Sequence, residues 1–143
     1  MTQLNKIAIS GKGGVGKTTL AALLAHIYAQ RGRSVIAIDA DPAGGLAEAL
    51  GFPPHLVAQV TPVAEMEDLI YERTGAQPGT FGGFFSMNPR VDDIPDRFSV
   101  SHRGIRFLRL GTIESGGSGC ICPESALLKA LVTHLLLYRD EML

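Results

Sequence analysis

The 143-residue chain has no basic excess: 13 Lys and Arg stand against 14 Asp and Glu, for a formal net charge of −1. A nucleic-acid-binding domain needs cationic residues gathered on one face, so this composition argues against that class. No apolar run is long enough to span a bilayer; the best candidate is interrupted by Lys129 and His134. A secretory h-region with its cleavage site is also missing from the N-terminus, which makes the cytoplasm the expected location. Two cysteines, Cys120 and Cys122, cannot form the disulfide framework of an extracellular scaffold. With 45% hydrophobic residues, the chain is long enough for one domain with a real core.

Glycine, in contrast, is plentiful, and it is concentrated in Gly11-Lys12-Gly13-Gly14-Val15-Gly16-Lys17-Thr18-Thr19. This stretch satisfies G-x-x-x-x-G-K-[ST] with Gly11, Gly16, Lys17 and Thr18 at the defining positions. Glycines let successive backbone N–H groups turn inward toward phosphate oxygens. Lys17 places an ammonium on the β- and γ-phosphates, and the Thr18 hydroxyl completes the shell of a Mg²⁺ ion. The flanks agree. Lys6-Ile7-Ala8-Ile9-Ser10 reads as a buried strand, and residues 19–29 are strong helix formers without Pro or Gly. Strand, glycine loop and helix together would rest phosphates on a helix N-terminus.

Arg31-Gly32-Arg33 stops that helix, and Ser34-Val35-Ile36-Ala37-Ile38-Asp39 reads as a second buried strand. Strand–helix–strand implies parallel pairing and a right-handed crossover. The expected class is therefore α/β, a P-loop NTPase fold with a doubly wound, mostly parallel sheet. Asp39-Ala40-Asp41-Pro42 closes the second strand, where carboxyl ends of parallel strands face the ligand crevice. An aspartate–proline turn with no further role is the alternative.

Residues 46–50 read as a short helix bracketed by Gly44-Gly45 and Gly51-Phe52-Pro53-Pro54, and Thr61-Pro62 looks like an N-cap and first position of a helix over residues 63–72. Residues 75–89 make a long irregular connection in which Phe81, Phe84 and Phe85 are expected to anchor to the core, an exposed partner surface being the alternative. Residues 98–102 and 105–110 are strand-like runs around Arg103-Gly104, a tight hairpin whose arginines 103, 106 and 109 should face solvent.

A glycine- and serine-rich stretch then leads into Gly119-Cys120-Ile121-Cys122-Pro123-Glu124, with Pro123 opening a helix through residue 139. Cys122 falls at its N-cap, where free N–H groups favour the thiolate that binds soft metals. Zn²⁺ wants four ligands, so one C-x-C pair does not close a site, whereas two copies about a two-fold axis do. Two buried structural cysteines, or a redox pair, are the other readings.

Residues 12–19 resemble the deviant Walker A signature of the MinD/ParA/nitrogenase-iron-protein ATPases. That resemblance implies a homodimer in which Lys12 reaches the partner's nucleotide, and an ATP-binding surface built from Gly11, Lys12, Gly13, Gly14, Val15, Gly16, Lys17, Thr18 and Thr19. By the same resemblance Asp39-Ala40-Asp41-Pro42 is similar to switch I, with Asp41 orienting the attacking water and Asp39 nearer Mg²⁺. Taken with residues 119–124, the chain resembles the CooC-type nickel-insertion ATPases of carbon monoxide dehydrogenase. This implies ATP hydrolysis, a Ni²⁺ or Zn²⁺ site at Cys120 and Cys122 shared by two subunits, and the dehydrogenase as client, without nucleic acid or membrane. Members of that family continue into a Walker B strand, switch II and a base pocket. Met142-Leu143 looks like the start of that strand, so residues 1–143 read as the N-terminal portion of one ATPase domain. A nucleotide- and metal-binding module without turnover is the second reading, and a MinD/ParA-like positioning ATPase the third.

Overall fold

The computed structural model describes residues 6–41, 43–77, 84–111 and 122–137. In chain order the elements are α1 (Lys17–Gln30), β1 (Val35–Asp39), α2 (Leu46–Ala49), α3 (Pro54–Val57), a 3-10 turn (Val63–Glu65), α4 (Glu67–Thr74), α5 (Ile94–Phe98), β2 (Val100–His102), β3 (Ile105–Arg109) and α6 (Pro123–Leu137). The strands form one sheet in the order β1-β3-β2, with β1 parallel to β3 and β2 antiparallel to it. Alternate residues of each strand point to opposite faces, and both faces are apolar here. Val35, Ala37, Ile105 and Phe107 meet α1 and α2 on one side. Ile36, Leu108 and Leu110 meet α4, α5 and α6 on the other. Helices on both faces of the sheet give the doubly wound α/β layering expected from the sequence.

Phe107, Ile36, Leu108, Leu127 and Leu131 are completely or almost completely buried. Each contributes roughly 2 kcal/mol of hydrophobic stabilisation. The β2–β3 hairpin turns at Arg103 and Gly104, with φ of 52° and 78°. Both values lie in the left-handed region of the turn that best matches strand twist, as the Arg-Gly pair suggested.

Several local expectations are corrected. Residues 6–10 do not join the sheet, whose strands among the described residues are β1, β2 and β3. They line a cavity together with β1, and Ile7 and Ile9 are partly buried. The helix expected over residues 63–72 is broken at Met66, whose backbone (φ −83°, ψ 79°) is not helical. The Ala64 N–H, which would have no intrahelical acceptor at a helix start, donates to the Leu110 carbonyl at 2.9 Å and docks the 3-10 turn on the end of β3. Phe84 is fully exposed instead of anchoring to the core, and Phe85 is half-buried. Ser86 N–H bonds the Thr74 carbonyl at 2.8 Å, and Pro89 and Val91 take the buried positions nearby. Phe81 lies outside the described residues. Phe98 ends α5, a helix the sequence reading did not anticipate, and the strand begins at Val100.

The arginines of the hairpin divide. Arg103 is exposed, as expected. Arg106 is half-buried and bonds Asp96, and Arg109 lays its guanidinium 5.7 Å from the Phe107 ring centre. Both lie on sheet faces crowded by helices, where their stems pack and only part of each reaches solvent.

Gly111 follows β3 and is pinned by its surroundings. Its φ is +84°, and a Cβ there would stand 2.8 Å from Pro62 Cβ and 3.2 Å from Ala64 Cβ. Gly111→Ala combines backbone strain with a clash, and should cost about 1–3 kcal/mol. Urea denaturation checks this; an unchanged midpoint would show that the 3-10 turn yields freely.

Candidate functional site: a phosphate loop facing two strand-end carboxylates

Residues 11–16 are exposed, and α1 starts at once behind them. Gly16 is the N-cap, with φ 91° and no side-chain capping bond. A left-handed backbone at this position favours glycine, and the absence of a capping side chain leaves first-turn N–H groups available to an anion. Lys17 is the first residue of α1 and is half-buried with Thr18, while Lys12 is exposed on the loop.

The opposite wall is the end of β1. Asp39 is only 4% exposed. Its Oδ1 accepts the Asp41 N–H at 3.1 Å, and its Oδ2 is buried without a partner among the described residues. Asp41 is exposed; its Oδ1 accepts the Ala43 N–H at 2.9 Å and its Oδ2 lies 3.3 Å from Lys17 Nζ. The Ala43 N–H, and after it Lys17, hold the Asp41 carboxyl below its ordinary value, so it is anionic near neutrality. A cavity of about 440 Å³ joins these parts, lined by Gly11, Lys17, Thr18, Asp39 and Asp41 at one end and by Ile7, Ala21, Leu24, Tyr28 and Val35 along its apolar wall. The structure therefore brings Lys17, Thr18, Asp39 and Asp41 together, as the sequence suggested.

An oxygen-only set of Thr18 hydroxyl and carboxylate suits a hard cation such as Mg²⁺. The unpartnered, buried Asp39 Oδ2 is the observation that fits it, because such an oxygen is costly to leave unpaired. What the sequence reading missed is the support under Asp41. Ala43 N–H clamps its carboxylate and Gly44 N–H bonds its carbonyl at 3.0 Å. The signal was present as an aspartate hydrogen-bonding two residues onward in a turn.

The cysteine segment falls mostly outside the described residues, Cys120 included. Cys122 directly precedes α6, as expected, and is completely buried with a free thiol. Ser125 Oγ bonds both its N–H (3.2 Å) and its carbonyl (2.8 Å), and so caps the helix. Among the described residues no group of three or more His, Cys, Asp or Glu is placed to hold a metal. No helix among them is long and apolar enough to cross a membrane. His26 has a structural contact: its Nε2–H donates to the Leu50 carbonyl at 2.9 Å, tying α1 to α2.

Comparison with known proteins points the same way as this geometry. The CobQ/CobB/MinD/ParA nucleotide binding domain matches residues 6–134. The chain is 49% identical to the carbon monoxide dehydrogenase accessory protein CooC of Rhodospirillum rubrum over 136 residues, covering 95% of this chain and 51% of that protein. It is 48% identical to an uncharacterized ATP-binding protein of Methanocaldococcus jannaschii, covering 96% of this chain and 52% of the relative. ATPase GET3A of Arabidopsis thaliana is 31% identical over 102 residues, 63% of this chain and 28% of that protein. The chain thus spans about half the length of the first two relatives. With the family matched over most of its residues, the chain belongs to the CobQ/CobB/MinD/ParA nucleotide-binding domains.

Proposed function

We propose that residues 1–143 are the N-terminal portion of an ATP-dependent nickel-insertion protein that serves a carbon monoxide dehydrogenase and works as a homodimer. The observation that carries this reading is the convergence of Lys17, Thr18, Asp39 and Asp41 on one cavity, in a chain 49% identical to a carbon monoxide dehydrogenase accessory protein. Residues 11–16 wrap the phosphates with backbone N–H groups, and Lys17 carries the charge of the terminal phosphate. Lys12, exposed on the loop, reaches the nucleotide of the second subunit. Asp41 holds the O–H of the attacking water in line with the terminal phosphorus. Its lowered pKa makes it an orienting acceptor more than a strong base. Thr18 and the buried Asp39 oxygen would hold Mg²⁺, which would supply neutralisation of phosphate charge.

The cargo is the metal ion. Cys120 and Cys122 of both subunits supply four sulfurs, a set that takes Ni²⁺ or Zn²⁺. Cys122 is fully buried in the single chain, so sharing its thiolate requires that side chain to become accessible when two chains meet. Elemental analysis of the reduced protein, with mass determined on the same sample, tests this. The expected result is one metal per two chains in wild type and loss of that metal in Cys120→Ser and Cys122→Ser. A monomer without metal in all three would overturn it.

The second reading is a nucleotide- and metal-binding module without turnover. Among the described residues, Asp39 and Asp41 are the acidic side chains lining the cavity. Phosphate release above background in wild type, lost in Lys17→Ala, would decide for the ATPase.

A further inference from the structure

Lys17 has an anionic partner within the chain. Asp41 Oδ2 lies 3.3 Å from its ammonium, bridging the first residue of α1 to the turn after β1. The turn that presents this oxygen is closed by three hydrogen bonds. Asp41 N–H bonds Asp39 Oδ1, Ala43 N–H bonds Asp41 Oδ1, and Gly44 N–H bonds the Asp41 carbonyl. The carboxylate is thus aimed by its own backbone, with one oxygen spent on the turn and the other on Lys17.

We propose that Asp41 is a built-in competitor for the phosphate position: its carboxylate occupies Lys17 until a terminal phosphate displaces it. The inference rests on the reading of Lys17 as the phosphate-binding lysine and adds a regulatory step to it. Both partners are partly open to solvent, at 24% and 36% side-chain exposure, and an ion pair in that setting is a weak contact. A phosphate brings more charge and several oxygens, and it also takes the free N–H groups of the loop. The exchange therefore favours the phosphate.

Two consequences follow for function. A ligand is recognised through displacement only if it carries a phosphate that reaches Lys17, so a nucleoside monophosphate that stops short of it leaves the pair closed. The displaced Asp41 becomes available to a water only once that phosphate is in place. The same carboxylate therefore blocks the site when it is empty and serves it when it is filled.

Asp41→Asn in the full chain separates these roles. The asparagine oxygen can still accept the Ala43 N–H, while the charge on Lys17 is gone. Calorimetric titration with Mg·ATPγS should give binding about 2- to 5-fold tighter than wild type, the scale of one exposed ion pair. The gain should shrink in high salt, and AMP should show none. In the ligand-free protein, the Lys17 amine should be labelled by an acylating reagent several-fold faster in the variant. Equal or weaker ATPγS binding by Asp41→Asn, an equal gain for AMP, or unchanged Lys17 labelling would overturn the competitor role. If wild type binds ATPγS, Lys17→Ala does not, and Asp41→Asn is no tighter, the phosphate reading stands and this inference alone fails. If neither wild type nor Asp41→Asn binds nucleotide, both fail.

Discussion

Lys17→Ala should reduce affinity for Mg·ATP by about 100-fold or more, and any phosphate release by at least as much. The argument is electrostatic. Residues 11–16 offer only neutral N–H donors and the exposed Lys12, while Lys17 is the cation held at the mouth of the cavity beside Thr18, Asp39 and Asp41. Removing it leaves the phosphates facing two carboxylates, Asp41 anionic among them, and repulsion replaces attraction. The fold should survive, because Lys17 is half-buried at a helix N-terminus and its ion pair with Asp41 is exposed. Calorimetric titration together with a denaturation curve separates the two quantities. Retained affinity would remove the loop from the account.

The largest expected loss of stability lies far from that site. Arg73 on α4 forms a two-pronged pair with Asp93, both N–H···O distances being 2.7 Å, and also donates to the Arg90 carbonyl at 2.8 Å. Its side chain is 7% exposed and that of Asp93 20%. Asp93→Ala would leave a buried guanidinium with only the Arg90 carbonyl and a 3.7 Å contact to the exposed Glu72 carboxylate among the described residues, which should cost about 3 kcal/mol. The pair also sets a pH dependence. The Arg73 guanidinium first, with help from Arg97, holds the Asp93 carboxyl well below its ordinary value of 3.8. A carboxyl with a depressed folded pKa stabilises fully above its unfolded pKa, and that contribution is lost as pH falls through the folded value. The stability gap between wild type and Asp93→Asn should therefore be constant near neutrality and narrow as pH falls below 3.8. A gap that does not change with pH would mean the charge of Asp93 contributes nothing.

The parts of this protein that were legible in the sequence are those set by local rules. The glycine loop leading into α1, the β-branched run of β1, the Arg-Gly hairpin and the start of α6 at Pro123 all appear where short-range chemistry put them. Asp39 and Asp41 came to the loop because the chain must return alongside α1 before β1 ends facing it. What was not legible depends on contacts distant in sequence. The helix over residues 63–72 had a plausible cap and proline, yet the backbone leaves helical geometry at Met66, beside a turn docked through its Ala64 N–H on Leu110, more than 40 residues away. Gly111 reads as one glycine among many until Pro62 and Ala64 are found against it. Arg73 and Asp93 are 20 residues apart and neither belongs to a motif. Residues 6–10 have strand composition but no neighbour in the sheet. Composition alone cannot supply a partner strand.

Native mass spectrometry of the reduced chain, with Mg·ATPγS and one equivalent of Ni²⁺ or Zn²⁺ per two chains, tests most directly the claim that nucleotide and metal meet in one assembly. The account predicts a species of two chains, two nucleotides and one metal ion, with the metal absent from Cys122→Ser and the nucleotide absent from Lys17→Ala. A single chain that carries nucleotide but never metal, or metal uptake untouched by Cys122→Ser, would contradict it.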